Sequence, residues 1–205
     1  MTGRASERTA KGERSRQKLV AAAAGLLRKQ GYHGTGLAEI VSTSGAPRGS
    51  LYFYFPGGKE ELACAALEES GAMWRRLLEG VIDAAPDLGV AVENVCRVLA
   101  EALAASGWES GCPLATVALE ASAASEAVRG TCAAHYAAWE ATIGRRLVAL
   151  GVEPARAAEL ATFGLASIEG ALLLAKVKRD PAPLRAAGAL MRAMFEQLLP
   201  RPGAA

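Results

Sequence analysis

Apolar residues recur every three or four positions along most of this chain, which is the spacing of helices that bury one face. The first such stretch predicts a helix over residues 15–30, with Gly31 placed to end it. A long helix is predicted from Lys59 to about residue 80, and five more are predicted near residues 86–105, 113–124, 126–149, 154–177 and 182–199. The composition is rich in alanine and leucine and poor in aromatic residues, which also favours an all-α protein.

Between the first and the long helix, residues 35–59 predict two short helices joined by a tight turn. Leu37, Ile40 and Val41 give the first of them one apolar face, and Gly45 interrupts that pattern with a residue able to adopt positive φ. Pro47 suits the first turn of the second short helix, because its missing N–H would have no partner there. This pattern is typical of a helix–turn–helix unit.

The second short helix, near residues 47–55, has the properties of a helix that enters the major groove of DNA. Leu51 and Phe55 share its inward face, whereas small or polar residues lie outward. Arg48 could bind a guanine edge or a phosphate, and the sequence does not choose between them. The residues predicted to contact DNA are Thr35, Pro47, Arg48, Gly49, Ser50, Tyr52, Tyr54 and Lys59.

The same stretch, read as IVSTSGAPRGSLYFYF followed by GGKEEL, resembles the signature of the TetR family of bacterial transcriptional repressors. The insert PGGKEEL, and SGCPLATVALEAS from Ser110, resemble the LmrA/YxaF branch. Pro47 departs from the family pattern, which usually has serine there, and Phe53 stands where a polar residue is frequent. The resemblance implies about nine helices, arranged as an N-terminal DNA-binding domain and a C-terminal domain for ligand binding and dimerisation.

Charge is distributed unevenly along the chain. Residues 1–62 contain ten Lys/Arg and five Asp/Glu, whereas residues 63–205 contain thirteen and sixteen. Chance variation among solvated faces is one explanation, and a DNA-facing N-terminal part is the other, since phosphate contacts supply much of the energy of DNA binding. We therefore predict a flexible basic arm over residues 1–13, a DNA-binding domain over 14–62, and a second domain over 63–205.

The last two predicted helices carry apolar and small residues that either pack inside one chain or form a dimer surface. Small residues permit close approach of helices, and the family resemblance implies a two-fold interface of four helices. A homodimer would present two reading helices to successive major grooves of a pseudo-palindromic operator. The residues predicted at this interface are Gly164, Ser167, Ile168, Ala171, Leu190, Met191, Met194 and Phe195.

Large side chains among many alanines in the second domain predict an apolar cavity, although ordinary core packing is the alternative for each residue. The resemblance implies a small apolar or aromatic effector there. The residues predicted to line the cavity are Met73, Trp74, Val95, Cys96, Leu99, Trp108, Leu114, Val117, Tyr136, Trp139 and Phe163.

Other features limit the class of protein. No apolar run reaches the roughly 18–20 residues that cross a bilayer. The first 13 residues lack the apolar core of a signal peptide. Four cysteines without disulfide or metal spacing fit a reducing compartment, so a cytoplasmic protein is expected. No catalytic motif or cofactor is expected. A metal site is not expected either, because Cys132 and His135 have no further ligands nearby in the sequence.

Three functions remain open from the sequence. The first is a ligand-responsive repressor that leaves its operator when the effector binds. The second is a DNA-binding protein without an effector, or a regulator that senses oxidants through a thiol, with Cys112 the first to test because it precedes a helix start. The third is a helical protein that binds or transforms a small molecule and does not bind duplex DNA.

Overall fold

The computed structural model describes the chain from Gly3 to Leu198, with side chains from Gly12 onward. Over that range the chain forms nine helices and no strand, so the all-α prediction is confirmed. The helices are α1 Gly3–Gly34, α2 Leu37–Ser44, α3 Ser50–Tyr54, α4 Lys59–Ala84, α5 Leu88–Ala105, α6 Pro113–Ala121, α7 Glu126–Ala149, α8 Pro154–Lys178 and α9 Ala182–Leu198.

Helices α5 to α9 lie within three residues of their predicted bounds, whereas α1 is longer than predicted. The backbone is helical from Gly3, so in the described part of residues 1–13 the chain continues α1 and does not form a separate arm. Residues 1 and 2 lie outside the described range. Gly31 breaks the regular helix as predicted, with φ 75° and ψ −175°, and a last turn continues to Gly34.

The chain divides into two compact units. The first is the chain up to Gly71 together with Pro113–Ala133, and the second is Ala72–Cys112 together with the chain from Ala134 onward. The predicted boundary after residue 62 differs from this division because α6 packs against α1 and therefore belongs to the first unit. Helices α4 and α7 each begin in the first unit and end in the second.

The first unit is held together by leucine-rich faces of its helices. Leu19 and Leu27 of α1 are fully enclosed, as are Leu114 and Val117 of α6. Burying each such side chain contributes about 1.5–3 kcal/mol, so α6 is a large part of this core. Leu51 and Phe55 are also buried, which confirms their predicted inward position and fixes which side of the second short helix faces outward.

The second unit is built on the packing of α9 against α5 and α8. Close approach depends on Gly188, where an added Cβ would lie 3.1 Å from Cys96 Cβ. The start of α8 is fixed by Glu153, whose carboxylate accepts hydrogen bonds of 3.0 Å from the backbone N–H groups of Ala155 and Arg156. These bonds lower the pKa of Glu153, as expected for a carboxylate at a helix N-terminus.

Helix α8 is the one described helix that is long and apolar enough to cross a membrane by length and composition. Glu169 interrupts its apolar sequence, and its inner residues, such as Leu160 and Ala161, are buried within the second unit. Its apolar character is that of a core helix of this unit.

Candidate functional site

The turn between α2 and α3 is fixed by a serine and a glycine. The Ser44 hydroxyl donates to the Val41 carbonyl at 2.8 Å and accepts from the Ala46 N–H at 3.1 Å. Gly45 has φ 61°, in the left-handed region that only glycine enters without strain. Ala46 is buried beyond it. The turn therefore sets the direction in which α3 leaves α2.

Helix α3 begins later than the sequence indicates. Pro47, the predicted helix start, lies in a turn in which its carbonyl accepts the Ser50 N–H at 2.8 Å. Regular helix extends from Ser50 to Tyr54. Gly49 has φ −74° and ψ −12°, close to helical values. The segment from Pro47 to Tyr54 is therefore a turn followed by a short helix, with one continuous outward face.

That outward face consists mostly of the predicted DNA-contacting residues. Pro47, Arg48, Gly49 and Tyr52 are exposed, and Ser50 and Tyr54 are half-buried. Phe53 was not among the predicted DNA contacts. It is 77% exposed and contacts the Tyr54 ring edge-on at 4.9 Å between centroids. The signal for Phe53 was its position two residues from both Leu51 and Phe55, which places it opposite the buried face.

Thr35 does not have the predicted position. Its side chain is fully buried, and its hydroxyl donates to the Gly31 carbonyl at 2.7 Å. The N-cap residue of α2 is Gly36, which has no side chain to accept a hydrogen bond from the helix. The Thr35 hydroxyl therefore closes the kink at the end of α1, and this corrects the prediction that the Thr35 side chain contacts DNA.

Lys59 lies at the first residue of α4, half-buried, with its ammonium 4.6 Å from the centre of the Tyr32 ring. This cation–π contact holds the charge near the start of the helix. Burial, with the nearby Glu60 and Cys64, raises the pKa of Tyr32, so the ring stays neutral beneath the cation. The loop before α4 is fixed by Glu61, whose carboxylate accepts the Gly57 N–H at 2.8 Å.

Glu120 of α6 joins that helix to the end of α1 within the first unit. Its carboxylate accepts the His33 N–H at 2.8 Å, and a Cβ on Gly31 would lie 2.0 Å from one of its oxygens. The positive φ at residue 31 favours glycine, and a side chain there would also displace the Glu120 carboxylate. No local pattern along the chain indicates this contact, because the two residues are 87 positions apart.

An apolar cavity of about 80 Å³ lies in the second unit, among α4, α5, α7 and α8. Four of the predicted lining residues line it: Trp74, Val95, Leu99 and Trp139. The other lining residues were not predicted at the cavity: Leu77, Leu78, Val81, Val98, Cys112, Ile143, Leu165, Ile168, Glu169 and Leu172. Most are branched aliphatic residues at helical spacing, whereas the prediction favoured large rings.

Several predicted lining residues lie elsewhere. Leu114 and Val117 belong to the core of the first unit. Cys96 faces α9, with Gly188 opposite it. Met73 and Phe163 are exposed on the surface, at 46% and 51%. Their positions correct the prediction, because the apolar pattern identifies buried or apolar positions but not which cavity they face.

Two other predicted lining residues, Tyr136 and Trp108, are not among those that line the cavity. Tyr136 contacts the Trp139 ring edge-on at 5.5 Å between centroids. Trp108 is half-buried in the loop after α5, at φ 68°, and its N–H donates to the Leu103 carbonyl at 3.0 Å. Trp108 therefore closes the end of α5.

The cavity wall also carries polar atoms. The indole Nε1 of Trp74 is buried without a hydrogen-bond partner among the residues that the structure describes. Glu169 of α8 also lines the cavity, where burial raises the pKa of its carboxyl and a hydrogen bond from Cys112 partly opposes that rise.

Three of the four cysteines, Cys96, Cys112 and Cys132, are buried, and Cys64 is half-buried. Burial raises the pKa of both Cys96 and Cys132 to about 11, and it also raises that of Cys64. The Cys132 thiol donates to the Leu114 carbonyl at 3.9 Å. Among the described residues no group of three or more His, Cys, Asp or Glu side chains is placed to hold a metal ion.

An uncovered apolar surface runs along α8 and α9, and we call it the outer α8–α9 face. Its members are exposed or half-buried and recur mostly three or four positions apart on each helix: Phe163, Ala166, Ser167, Gly170, Leu174 and Val177 on α8, and Pro183, Ala187, Leu190 and Met194 on α9. Val177 and Leu190 are 74% and 72% exposed. A groove between the two helices is lined by small residues, including Gly170 and Ala187.

The predicted dimer residues divide between this face and the interior. Ser167, Leu190 and Met194 lie on the outer α8–α9 face. Ile168 lines the cavity, and Gly164, Met191 and Phe195 are buried within one chain. Ala171 is buried as well, but it also lines the groove between α8 and α9. Both helices are apolar on two faces, so the sequence pattern did not distinguish the inner face from the outer one.

Two family models match the chain. Residues 19–66 match the model described as bacterial regulatory proteins, tetR family. Residues 89–190 match the model described as transcriptional regulator LmrA/YxaF-like, C-terminal domain.

Individual proteins agree with these matches. The HTH-type transcriptional regulator LmrA of Bacillus subtilis is 36% identical over 170 residues, covering 83% of this chain and 90% of LmrA. The HTH-type transcriptional regulator YxaF of the same organism is also 36% identical, covering 86% of this chain and 92% of YxaF. The crystal structure of the reduced form of Escherichia coli NemR superposes with a TM-score of 0.76 at 25% identity, covering 92% of this chain and 100% of NemR.

Proposed function

The chain belongs to the TetR family of transcriptional regulators, with an LmrA/YxaF-like C-terminal domain, and we propose that it is a repressor released from DNA by a small effector. It binds a pseudo-palindromic operator as a homodimer in the cytoplasm. The observation that carries the proposal is the outward face of residues 47–54, which is exposed and backed by the buried Leu51. A short helix of this kind fits the major groove.

DNA recognition divides between backbone and base contacts. Lys59, at the start of α4, binds a phosphate, because a helix N-terminus and an ammonium both favour an anion. Arg48 and Tyr52 are exposed on the outward face and reach base edges or the sugar–phosphate backbone. Pro47, Gly49 and the half-buried Ser50 and Tyr54 keep the surface close to the duplex.

Dimerisation uses the outer α8–α9 face. Contiguous apolar surface of this kind marks an interaction site, and the small residues in its groove permit close approach of a second copy. A two-fold dimer presents two α3 helices, and a duplex offers successive major grooves about 34–36 Å apart. The operator is therefore expected to consist of two inverted half-sites.

Effector response uses the cavity in the second unit. Its volume of about 80 Å³ is below the roughly 150 Å³ that holds benzene in an engineered cavity, so ligand binding requires its helices to move apart. Helix α4 lines the cavity with Trp74 and Leu77 and begins at Lys59. A ligand that favours the expanded state lowers DNA affinity by its differential affinity for that state, about 10- to 100-fold.

The test is selection of bound duplexes from a random pool, followed by titration with salt. Lys59→Ala is expected to weaken every duplex similarly and to reduce the slope of log K against log salt by about one. Arg48→Ala is expected to change preference at one base position if the guanidinium binds a base edge, whereas uniform loss identifies a phosphate contact. Failure to enrich any palindromic sequence contradicts the proposal.

The two other regulatory functions make different predictions. A DNA-binding protein without an effector has a fully packed second unit, whereas this unit contains a cavity with a buried polar atom that lacks a partner. A thiol-sensing regulator needs an accessible thiolate, whereas burial favours the neutral thiol at Cys96 and Cys132. Both observations support effector binding over the alternatives.

A further inference from the structure

The cavity wall contains an indole whose N–H has no acceptor in the described part of the chain. Trp74 lies on α4 and lines the cavity, and its Nε1 is buried without a partner among the described residues. Buried N–H groups are satisfied in the great majority of cases, and an unsatisfied one costs free energy. An acceptor atom on a bound molecule would remove that cost.

The cavity wall also contains a hydrogen-bond acceptor, the Glu169 carboxylate, in apolar surroundings. Glu169 on α8 is half-buried, and its neighbours around the cavity are leucine, isoleucine, valine, tryptophan and one cysteine. The Cys112 thiol donates to it, but a thiol is a weak donor and a carboxylate has room for several. No lysine, arginine or histidine lines the cavity to neutralise the carboxylate.

We propose that the effector is an aromatic compound with two polar ends, an acceptor bound by the Trp74 indole N–H and a donor bound by the Glu169 carboxylate. This rests on the proposed function and specifies its ligand class. Apolar pockets with a few placed polar groups obtain affinity from the walls and selectivity from those groups. A hydrocarbon of the same shape would leave both groups unpaired and bind more weakly.

The probes are four one-ring compounds and their two-ring biphenyl counterparts. Ethylbenzene has neither group, acetophenone has the acceptor, 4-ethylphenol has the hydroxyl donor, and 4-hydroxyacetophenone has both. Dissociation constants are measured by calorimetry on the full chain. In at least one ring series, the compound with both groups is expected to bind at least about tenfold more tightly than the hydrocarbon, the effect of satisfying buried polar groups.

Two variants assign the selectivity to its residues. Trp74→Phe keeps a ring but removes the N–H, and Glu169→Leu keeps the approximate size but removes the carboxylate. Each is expected to reduce that tenfold preference, the ratio of the dissociation constants of the hydrocarbon and the two-ended compound, to about threefold or less. Val98→Ala, at an apolar position of the same cavity, serves as the control and is expected to weaken both compounds alike. Thermal unfolding followed by circular dichroism verifies that each variant is folded.

Operator release in the presence of each probe separates the ligand class from the proposed function. Selective binding without operator release supports the ligand class and contradicts effector control. Equal binding of hydrocarbon and two-ended compounds overturns the ligand class, and so does a loss of affinity in the variants that is the same for both. Absence of binding by every probe in both ring series also overturns it.

Discussion

Phe53 carries a large apolar side chain into solvent on a helix whose neighbours Leu51 and Phe55 are buried. An exposed ring on a helix that enters the major groove can contact the C5-methyl group of thymine, the one apolar feature of that groove. The resemblance to the family placed a polar residue at this position, so the sequence signature did not indicate the contact. We therefore expect Phe53 to select thymine at one position of each half-site.

Phe53→Ala is expected to reduce the preference for thymine at that position about fivefold, or about 1 kcal/mol, by removing the apolar contact. The measurement compares binding of the selected operator with thymine and with deoxyuridine at each position, since deoxyuridine lacks only the methyl group. The chain with Phe53 should lose affinity on deoxyuridine substitution at one position, and Phe53→Ala should not. Equal sensitivity of the two proteins at every position would refute the contact.

The thiols respond to pH in a direction set by their burial. The pKa values of Cys96 and Cys132 lie at about 11, above the usual value, so both remain neutral at pH 7 and ionise only as the pH approaches 11. Labelling of the native protein by iodoacetamide, mapped by mass spectrometry, is expected to be at least about 100-fold slower at these residues than after unfolding in urea, because the thiolate is the nucleophile. Comparable rates in the two states would restore a thiol sensor as a candidate.

At this scale the sequence predicted side chains that follow helical periodicity better than those fixed by contacts between distant segments. The inward positions of Leu51 and Phe55 follow from spacing alone. The role of Thr35 depends on the kink at Gly31, and the role of Glu120 depends on α6 meeting α1. Neither contact leaves a local pattern in the sequence.

Among the elements, α5 and α9 show how glycine controls helix packing. An added Cβ at Gly188 would lie 3.1 Å from Cys96 Cβ, which is tighter than an ordinary contact, and 3.4 Å from the Glu93 Cα, which leaves α5 little room. At Gly130 of α7, by contrast, no atom lies within 4 Å of an added Cβ. The two positions are therefore a matched pair for the same substitution.

Gly188→Ala is expected to lower the free energy of unfolding by about 1 kcal/mol, since overpacking outweighs the better helix propensity of alanine. Gly130→Ala is expected to raise it by about 0.5–1 kcal/mol, because the propensity acts alone there. Urea unfolding of the two variants gives both values. Stabilisation by both substitutions would show that α5 and α9 separate at little cost.

The helices themselves were predicted closely because proline, glycine and capping residues mark their ends. Pro113 and Pro154 begin α6 and α8, and Gly151 adopts φ 89° before α8. Helix α3 is the exception, since the turn before Ser50 is helical in its dihedral angles and the sequence does not separate the two. The faces of α8 and α9 were not resolved, because both helices are apolar on two sides.

For the whole molecule, the outer α8–α9 face predicts the oligomeric state. Val177→Glu and Leu190→Glu each introduce a charge on a side chain that is exposed in one chain. Each is expected to convert a dimer into a monomer at micromolar concentration, because an unpaired charge in an apolar interface is costly. Sedimentation velocity measures the mass of each variant, and gel shifts measure the accompanying loss of operator affinity.

The control for this experiment is Leu119→Glu. Leu119 is 83% exposed on α6 of the first unit and does not belong to the outer α8–α9 face. It introduces the same charge at an equally exposed leucine, and the mass should remain that of the unmodified chain. Dimers that persist in all three variants would place the interface elsewhere.

The family and the all-α fold could be predicted for the whole chain because a short signature near α3 is specific and the helical periodicity is strong. The division into units could not, since it depends on α6 returning to the first unit after α5. Spatial neighbours that are distant along the chain leave no periodic signal.

The return of α6 has a consequence for recombination. A fragment that stops at Gly71 lacks Leu114 and Val117, and the partners of those side chains on α1 would face water. A chimaera that exchanges effector-binding domains between regulators must therefore keep residues 113–133 together with the DNA-binding unit of the same protein. A junction at the domain boundary suggested by the linear sequence would combine parts of two different hydrophobic cores.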